Sequence, residues 1–473
     1  MKLGFWRIAG DDPARIAIID AAGVEYSYGE LLATSRALAA GFRARGAHRG
    51  DVVAGVLGND PSFLATLLAA FESGLYFTPV NVHLAPPEIA YVVEDCAPVA
   101  LVDDSTFDTL LVPGAGAPPE RSPGIQMMYT SGTTGKPKGV RRTLPEGDPD
   151  DYYGALAERT AQGFGVPLAP HTHLVCGPLY HAGPFVGALT TLHVGGTLVL
   201  LDRWTPERFL AAVERHHIAA TQMVPTMFHR LLQLPAEVRD RYDVSSLRSV
   251  FHTGAPCPVE VKQRIMDWLG PVVYETYGGT EGAATVATPK RWLSKPGTVG
   301  RAITGVTVHV LDEDGNELPT GETGEIWIDT GGPPPEYFKD AEKTREATRG
   351  RLVTLGDIGY LDEDGCLFLR DRKIDMVISG GVNIYPAEVE AALLADGRVG
   401  DVAVIGEPDE DWGERVVAIV EPAPGVEGSD ELADDLVRSC RERIAAFKRP
   451  RTIRFVDELP RLPNGKVEKR RLR

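Results

Sequence analysis

The sequence predicts an α/β protein: a large N-terminal domain of helix-covered, largely parallel sheets with a β-rich subdomain, and a small mobile α+β C-terminal domain. Three observations predict this class. Apolar β-like runs alternate with helical patterns through the first half, short strands with Asp-Gly turns follow from about Pro296, and a mixed pattern returns beyond residue 381. Strand–helix alternation is typical of parallel sheets covered by helices. A length of 473 residues also favours two or three domains.

The elements of the first half follow in order. The run DVVAGVLGND predicts a strand and a turn before a helix from about Pro61 to Ser73, and VALVDD predicts another strand. A strand is predicted from Ile125 to Tyr129, and a hydroxyl-rich turn follows it. Thr205 is the expected N-cap of the next helix, and Pro206 suits the first helical position. The run LRSVFHTGAP then leads into a helix from about Val259 to Leu269.

The second half of the sequence has a different pattern, with short strands separated by turns. The runs VTVHVLDEDGNELPTGETGEIWIDT and GYLDEDGCLFLRDRKIDMVI predict hairpins, which make up the β-rich subdomain. Beyond them we expect helices at Ala387 to Ala395 and near Glu431 to Phe447. We therefore predict an N-terminal domain at residues 1–370, a hinge at 371–376 and a C-terminal domain at 377–473.

Composition excludes several function classes. The formal charge of −17 argues against nucleic-acid binding. Apolar runs are too short for a membrane span, and Met1 to Gly10 lacks the layout of a signal peptide, so we expect a cytoplasmic protein. The five cysteines lie far apart without a CxxC pair, which favours idle or buried thiols over disulfides or zinc ligands.

Positive charge is concentrated at the C-terminal end. From Cys440 to Arg473 there are twelve Lys or Arg and four Asp or Glu, a local +8. This segment is either a solvated basic tail or a lid that brings positive charge to a phosphorylated ligand.

The stretch MMYTSGTTGKPKGV, residues 127–140, has the composition of a phosphate-binding loop but is not a Walker loop. Gly132 lies only three positions before Gly135, and Pro137 follows Lys136 where a magnesium-binding hydroxyl is required. What remains is a strand followed by a turn rich in small and hydroxyl residues that carries Lys136 and Lys138.

Four further motifs accompany this loop. YGGTEG at 277–282 follows the strand-like PVVYET, and LGDIGYLDEDG at 355–365 is expected to place Asp357 in a tight turn. DRKIDMVISGGVNIYPAEVE at 371–390 bridges the two domains, and LPRLPNGKVEKRRLR at 459–473 sets Lys466 just after an Asn-Gly turn. Together, in this order, the five motifs resemble the adenylate-forming superfamily of acyl-CoA synthetases, carrier-protein adenylation domains and firefly luciferase. The versions of the last two motifs are most similar to those of bacterial acyl-CoA synthetases.

The resemblance implies an ATP site. The first loop is expected to hold the β- and γ-phosphates, which suits its chemistry because small residues let backbone amides approach oxygens, hydroxyls donate and lysine supplies charge. The threonine of YGGTEG would contact the α-phosphate, and its glutamate would hold Mg²⁺, a hard cation that takes few ligands from protein. The residues concerned are Thr130, Ser131, Gly132, Thr133, Thr134, Gly135 and Lys138 in the loop, with Thr280 and Glu281 in YGGTEG.

The resemblance also assigns the nucleoside and the acceptor. Tyr277 would stack on adenine, beside Gly278, with Gly254, Ala255 and Pro256 as the opposite wall. Glu275 is either an acceptor for the adenine amino group or a salt-bridged surface residue. Asp357 would accept both ribose hydroxyls with Arg372 nearby, and Gly380 and Gly381 would line a tunnel for the CoA thiol.

His181, in PLYHAGPF, matches a family histidine at the acyl pocket, near the attacking carboxylate. His171, His173, His216, His217 and His252 have no such match and are expected to be structural or at the surface. The acid pocket is expected to be walled by PLYHAGPFVGAL, TQMVPTMF, FHTGAP and Gly279. These walls do not identify the acid.

Two positions depart from the family pattern. Relatives often continue after the phosphate loop into a Thr-His stretch, where this chain has RRTLPEGDPDD. The pivot between the domains is usually Asp or Lys, and here that position is Ile374, flanked by Lys373 and Asp375.

The implied reaction has two halves. A small-molecule carboxylic acid attacks the α-phosphorus of Mg·ATP to give acyl-AMP and pyrophosphate, with charge neutralised by Lys466, and the acyl group then passes to CoA after the C-terminal domain rotates. One alternative is an enzyme of specialised metabolism that passes the adenylate to a carrier protein, or activates a small oxyacid such as nitrite for attack by an amine. A second alternative is a catalytically inactive binding protein. The sequence leaves the oligomeric state open.

Overall fold

The computed structural model describes residues 2–130, 136–379, 382–409, 411–461 and 467–472. Its architecture is the expected mixed α/β arrangement, with parallel sheets in the N-terminal part and a smaller α+β unit at the C-terminal end. Among the helices in the described part of the chain, none has the length and apolar character needed to cross a membrane.

The N-terminal part of the chain contains a small parallel sheet of four strands. Its strands are ordered Ala100–Val102, Val52–Gly55, Tyr76–Pro79 and Ile125–Gln126, and all neighbouring pairs are parallel. The apolar helix Pro61–Glu72 begins after Asp60, whose carboxylate accepts from the backbone N–H groups of Ser62 and Phe63. Other helices of this part are Phe5–Asp11, Tyr28–Ala44, Pro86–Cys96 and Phe107–Leu110.

The largest sheet positions most of the site. Its strands lie in the order Arg301–Ala302, Gly282–Ala287, Val273–Gly279, Ser249–His252, Ala220–Met223, Thr172–Val175, Thr197–Leu200, Ile16–Ile19 and Glu25–Ser27. The central strands are parallel, so their carboxyl ends meet at one edge. The accompanying helices are Pro149–Phe164, Ala182–His193, Pro206–His216, Pro225–Gln233, Ala236–Arg239, Val259–Leu269 and Pro289–Ser294.

Antiparallel strands form the β-rich subdomain. The order is Thr307–Leu311, Gly324–Asp329, Leu352–Leu361 and Thr348–Arg349, with Leu367–Arg372 on the other side of Leu352–Leu361. Nearby, Met128–Thr130, Lys138–Arg141 and Glu336–Tyr337 form a small sheet, and the helix Ala341–Ala347 follows.

The C-terminal unit has a core of its own. The strands Val399–Asp409 and Gly413–Pro422 form a long hairpin that is joined by Val377–Ser379, Val382–Ile384 and Thr452–Phe455. Their valines and isoleucines pack against the helices Pro386–Leu394 and Asp430–Ser439. Short 3-10 helices lie at Cys440–Glu442, Ala446–Lys448 and Lys469–Arg471.

Several predicted elements differ in their bounds. The helix expected to reach Phe447 ends at Ser439 and continues only as short 3-10 turns. The strand expected from Ile125 to Tyr129 is divided at Met127, because its first part pairs with the parallel sheet and its second part pairs with Lys138–Arg141. The expected cap at Thr205 is confirmed, since its hydroxyl accepts from the N–H of Arg208.

A buried ion network ties the early helices together. Glu72 has a side chain that is 0% exposed, and Arg36 and Arg121 donate to its Oε1 at 3.0 and 2.9 Å. Arg121 also donates to Asp148 and to the buried Asp150 at 2.9 and 2.8 Å. Three helices and a loop therefore share one set of charges, in which the buried carboxylates of Glu72 and Asp150 pair with partly exposed arginines.

We expect Glu72→Gln to lower the free energy of unfolding by about 2–3 kcal/mol, because Arg36 loses its carboxylate partner and Arg121 keeps only Asp148 and Asp150. Urea unfolding followed by circular dichroism measures the change. Glu94→Gln, at an exposed position, is the matched control and should stay within about 0.5 kcal/mol of wild type. Equal stability of both variants would show that the network contributes nothing.

Candidate active site

The sequence motifs meet in one cleft. Its volume is about 2590 Å³, and it is lined both by the carboxyl edge of the largest sheet and by residues of the C-terminal unit. The ion pair between Arg443 and Glu260, at 2.8 Å, connects the two sides. Both halves of the chain therefore contribute to a single site.

The YGGTEG motif forms the turn of a hairpin. Thr280 and Glu281 lie between the strands Val273–Gly279 and Gly282–Ala287 and face the cleft. A Cβ atom at Gly279 would collide with the Glu281 carboxylate, so only glycine leaves that carboxylate in place. The hydroxyl of Tyr337 donates to Glu281 Oε1 at 2.7 Å. One carboxylate oxygen is thereby oriented by the protein.

Arg142 supports the same turn from behind. Its Nη2 donates to the backbone oxygen of Thr280 at 2.7 Å, and burial lowers the pKa of its guanidinium. Lys343 lies near Glu281 as well, and burial also lowers its pKa. Sequence reasoning missed Arg142, although it lies in the RRTLPEGDPDD segment that departs from the family pattern. The cue was two adjacent arginines leading out of an apolar strand.

Asp357 joins two parts of the fold, the largest sheet and the β-rich subdomain. Tyr277 donates its hydroxyl to Asp357 Oδ2 at 2.9 Å, and Arg372 donates from Nε to Oδ1 at 3.3 Å. The expectation of a tight turn at Asp357 is wrong, since the residue lies within the strand Leu352–Leu361, directly opposite Arg372. The left-handed φ of +75° belongs to Gly356 just before it. The strand pairing, not a turn, brings Asp357 and Arg372 together.

Glu275 is buried and is not at the surface. It is 7% exposed, and its Oε2 accepts from Nζ of the fully buried Lys262 at 2.6 Å. The salt bridge that was one of the two expectations therefore exists, but it lies inside the protein. Burial raises the pKa of Glu275. The backbone of Gly254 to Pro256 lines the cleft beside it.

His181 lies at the start of the helix Ala182–His193 and lines the cleft. Its ring packs edge-on against Tyr180, with centroids 4.7 Å apart. The predicted pocket segments come together around it, and Phe185, Gln222 and Thr253 all face the cleft. Of the histidines expected to be structural, His173 is fully buried, and burial lowers its pKa to about 3.

Only the ends of the phosphate-loop candidate can be placed. Ser131, Gly132, Thr133, Thr134 and Gly135 lie outside the described residues. The flanking strands Met128–Thr130 and Lys138–Arg141 pair antiparallel, with Thr130 opposite Lys138. Lys138 lies 3.5 Å from Asp340, and Thr130 lines the cleft. The loop therefore starts and ends at the cleft wall.

The predicted hinge contains a partly buried acidic residue, Asp371. Asp371 accepts from the backbone N–H groups of Ala387 and Arg372, at 2.8 and 2.7 Å, and burial raises its pKa to about 6. The ammonium of Lys469, which bonds Glu390 at 2.7 Å, acts against this rise in the pKa of Asp371. Ile374 is 46% exposed.

Lys466, Gly380 and Gly381 lie outside the described residues. Arg461 and Val467, on either side of position 466, both line the cleft. Ser379 pairs with Val382 across positions 380 and 381 in a short hairpin, and Val382 is 44% exposed.

Comparison with known proteins gives consistent matches over the whole chain. A family model described as AMP-binding enzyme matches residues 5–338, and one described as AMP-binding enzyme C-terminal domain matches residues 388–466. Feruloyl-CoA synthase of Amycolatopsis sp is 34% identical, over 95% of this chain and 94% of the relative. Indoleacetate–CoA ligase of Aromatoleum aromaticum is 32% identical, over 99% and 97%. An amide bond synthetase from Marinactinospora thermotolerans superposes with a TM-score of 0.85 at 28% identity, over 99% and 98%.

We expect Asp371→Asn to gain about 1–2 kcal/mol of stability relative to wild type as the pH rises from 4 to 8, from a baseline lowered because its amide can accept from only one of the two backbone N–H groups that the carboxylate binds. A carboxyl whose folded-state pKa is raised from 3.8 to about 6 binds its proton more tightly in the native state, so the stability it contributes is lost as the pH rises across this range. The variant has no such group, and this gain should vanish below about pH 4. Thermal unfolding from pH 4 to 8 measures this. The exposed Asp434→Asn is the control, and a difference that does not vary with pH would contradict the prediction.

Proposed function

The chain belongs to the AMP-binding enzyme family, and we propose that the acid it activates is an aromatic carboxylic acid. The enzyme is an AMP-forming acid–thiol ligase, as the resemblance implied. It converts a carboxylic acid and ATP to acyl-AMP and pyrophosphate and then transfers the acyl group to CoA.

The observation that carries this function is the convergence at Asp357. The Asp357 carboxylate accepts hydrogen bonds from Tyr277 of the largest sheet and from Arg372. It faces the same cleft as Thr280 and Glu281. A carboxylate at this place accepts hydrogen bonds from two vicinal hydroxyls, which is the chemistry of a ribose. The α-phosphate then lies toward Thr280.

Glu281 fits the role of a Mg²⁺ ligand. Tyr337 occupies its Oε1, and the turn directs the carboxylate to the cleft. Mg²⁺ prefers oxygen ligands and takes one or two carboxylates together with substrate phosphates. When bound, the ion would neutralise phosphate charge, and the Glu281 carboxylate would hold it.

The adenine is placed between Tyr277 and the backbone of Gly254, Ala255 and Pro256, with Gly278 beside the ring. Tyr277 is held at its hydroxyl by Asp357, which fixes the position of the outer end of its ring. Glu275 lies on the same strand and accepts from the 6-amino group. These assignments are supported by the shared lining of one cleft.

The first half-reaction needs charge neutralisation more than covalent chemistry. Residues 130–135 and Lys138 hold the outer phosphates, and Lys466 neutralises the attacking carboxylate and the α-phosphate. His181 lies at the start of the pocket helix, where the carboxylate of the acid enters. Arg142 holds the Thr280 turn rigid during the attack.

The second half-reaction uses another face of the C-terminal domain. Rotation about residues 371–376 withdraws Lys466 and brings Gly380 and Gly381 to the cleft, where backbone without side chains leaves room for the pantetheine arm of CoA. The exposed side chains of Ile374 and Val382 support this proposal, because both residues lie at the surface in the present arrangement.

The acid pocket suits a flat ring. Its walls combine apolar side chains such as Phe185 and Val186 with the small residues Gly183 and Gly279. Feruloyl-CoA synthase and indoleacetate–CoA ligase, which the chain matches over nearly its full length, are named for aromatic acids. We therefore place ferulate-like and arylacetate-like acids first.

The acceptor has a second candidate. The likeness to an amide bond synthetase favours an amine as an alternative acceptor for the adenylate. A carrier protein and nitrite activation are further alternatives from specialised metabolism.

The deciding experiment measures pyrophosphate release over ferulate, indoleacetate, benzoate, octanoate, acetate and nitrite, with CoA, with an amine, or with neither. We expect release with aromatic acids and a thioester product with CoA. Release with aliphatic acids alone would overturn the aromatic assignment. Amide formation without thioester would replace CoA by an amine.

Lys466→Ala is expected to slow acyl-AMP formation by roughly 10²-fold or more, the scale for removing one preorganised charge-stabilising donor. Conversion of supplied acyl-AMP and CoA to thioester should be almost unchanged, because the lysine is withdrawn in that step. Both half-reactions are measured on one purified variant.

Arg471→Ala, which removes an exposed charge from the same basic segment, is the matched control and should leave both half-reactions near wild type. Equal loss in both half-reactions of Lys466→Ala would refute domain rotation. Unchanged adenylation would remove Lys466 from the site.

A further inference from the structure

A lysine is buried where the helix Val259–Leu269 covers the largest sheet. Lys262 is fully buried, and its ammonium lies 4.9 Å from the centroid of the Trp292 ring. Its neighbours on the helix, Val261 and Ile265, belong to the apolar core. An ammonium in such surroundings is costly unless it is paired, and its partner is Glu275.

The pairing uses one of the two carboxylate oxygens. Lys262 donates to Glu275 Oε2 at 2.6 Å, and Nε2 of the buried His252 lies 3.6 Å from the same oxygen. Glu275 also lines the cleft. Among the described residues, the contacts of this carboxylate fall on Oε2, so Oε1 is the oxygen left for a ligand in the cleft.

The groups that face this carboxylate come from three elements. The helix supplies Lys262, the neighbouring strand supplies His252, and the Gly254–Pro258 segment supplies Cys257. Burial lowers the pKa of His252 well below its usual range and raises the pKa of Cys257, so both are neutral. The positive charge on this carboxylate therefore comes from Lys262.

We propose that Lys262 is a positioning residue that sets the nucleobase specificity of the enzyme: it holds Glu275 ionised and oriented, with Oε1 toward the base. This inference rests on the proposed adenine site. An ionised carboxylate only accepts hydrogen bonds. It binds a purine with a 6-amino group and repels a purine with a 6-oxo group, which is the difference at C6 between adenine and hypoxanthine.

The role of the lysine follows from the burial of its partner. Without the ammonium, a carboxyl in this place takes up a proton, because desolvation disfavours the charged form. A protonated carboxyl donates as well as accepts, and it can then bind a 6-oxo group. Loss of Lys262 should therefore change which base is accepted, and not merely how tightly nucleotides bind.

The test compares ATP with ITP. For wild type, Lys262→Met and the double variant Lys262→Met/Glu275→Gln, nucleotide affinity is measured by calorimetry and kcat/KM by pyrophosphate release, from pH 6 to 9. We expect wild type to prefer ATP by roughly 10- to 100-fold, the range for one well-placed base contact, at every pH. In Lys262→Met, the ratio of kcat/KM for ATP to that for ITP should fall at least tenfold at pH 6 and recover in part toward pH 9. The change should lie in KM more than in kcat.

The double variant keeps the test valid if the single variant folds poorly, because it removes both charges together. The amide at position 275 of this variant can turn either a donor or an acceptor toward the base. The preference of the double variant for ATP over ITP should therefore be small and independent of pH. Lys295→Met is the matched control: it removes a lysine that pairs with Asp362, away from the cleft, and should keep the wild-type ATP preference.

Two outcomes overturn the inference. A Lys262→Met variant that loses ATP and ITP affinity equally has lost only stability, and a wild type that binds ATP and ITP alike does not read the base through Glu275. Neither outcome would contradict the proposed ligase reaction. Conversely, wild type that binds ATP selectively but releases no pyrophosphate with any acid would refute the proposed function and leave the role of Lys262 intact.

Discussion

The Asp357 carboxylate is the contact on which the site depends. It receives Tyr277 from the largest sheet and Arg372 from the last residue of the strand before the hinge, while it belongs itself to the β-rich subdomain. This partly buried acceptor thus connects the largest sheet to two neighbouring strands of the β-rich subdomain, whose apolar core also includes Tyr277. Charged hydrogen bonds of this kind are shorter and stronger than neutral ones, so they align the cleft walls better than packing alone.

Around this contact lies a layer of residues that hold the expected ligand-binding groups in place. Tyr337 orients Glu281, Arg142 holds the backbone at Thr280, and Lys262 pairs with Glu275. These partners lie 56, 138 and 13 residues away in sequence from the groups they hold. Each is a polar side chain in a poorly solvated place, and each has a hydrogen-bond partner, as the cost of burying an unpaired polar group requires.

The fold class and the motif-bearing turns could be predicted from sequence because they depend on local patterns. The Thr280–Glu281 turn and the Thr205 cap are set by residues within a few positions, and the structure has them where expected. The strand at Asp357 and the early end of the helix at Ser439 could not be predicted in this way, because pairing with distant strands and packing decide them. Lys262 left one readable signal: it occupies the apolar stripe of its helix, where a charge implies a buried partner.

The Lys262–Glu275 pair also limits how this protein can change over evolutionary time. Replacing either residue alone leaves the other buried without its ionic partner, which is strongly destabilising, whereas replacing both together is close to neutral. Single substitutions at these positions are therefore removed by selection, and we expect the two to covary among descendants of this lineage. A change of nucleotide preference would need two coincident mutations on different elements, the strand Val273–Gly279 and the helix Val259–Leu269, which makes the choice of base one of the slowest properties of the enzyme to drift.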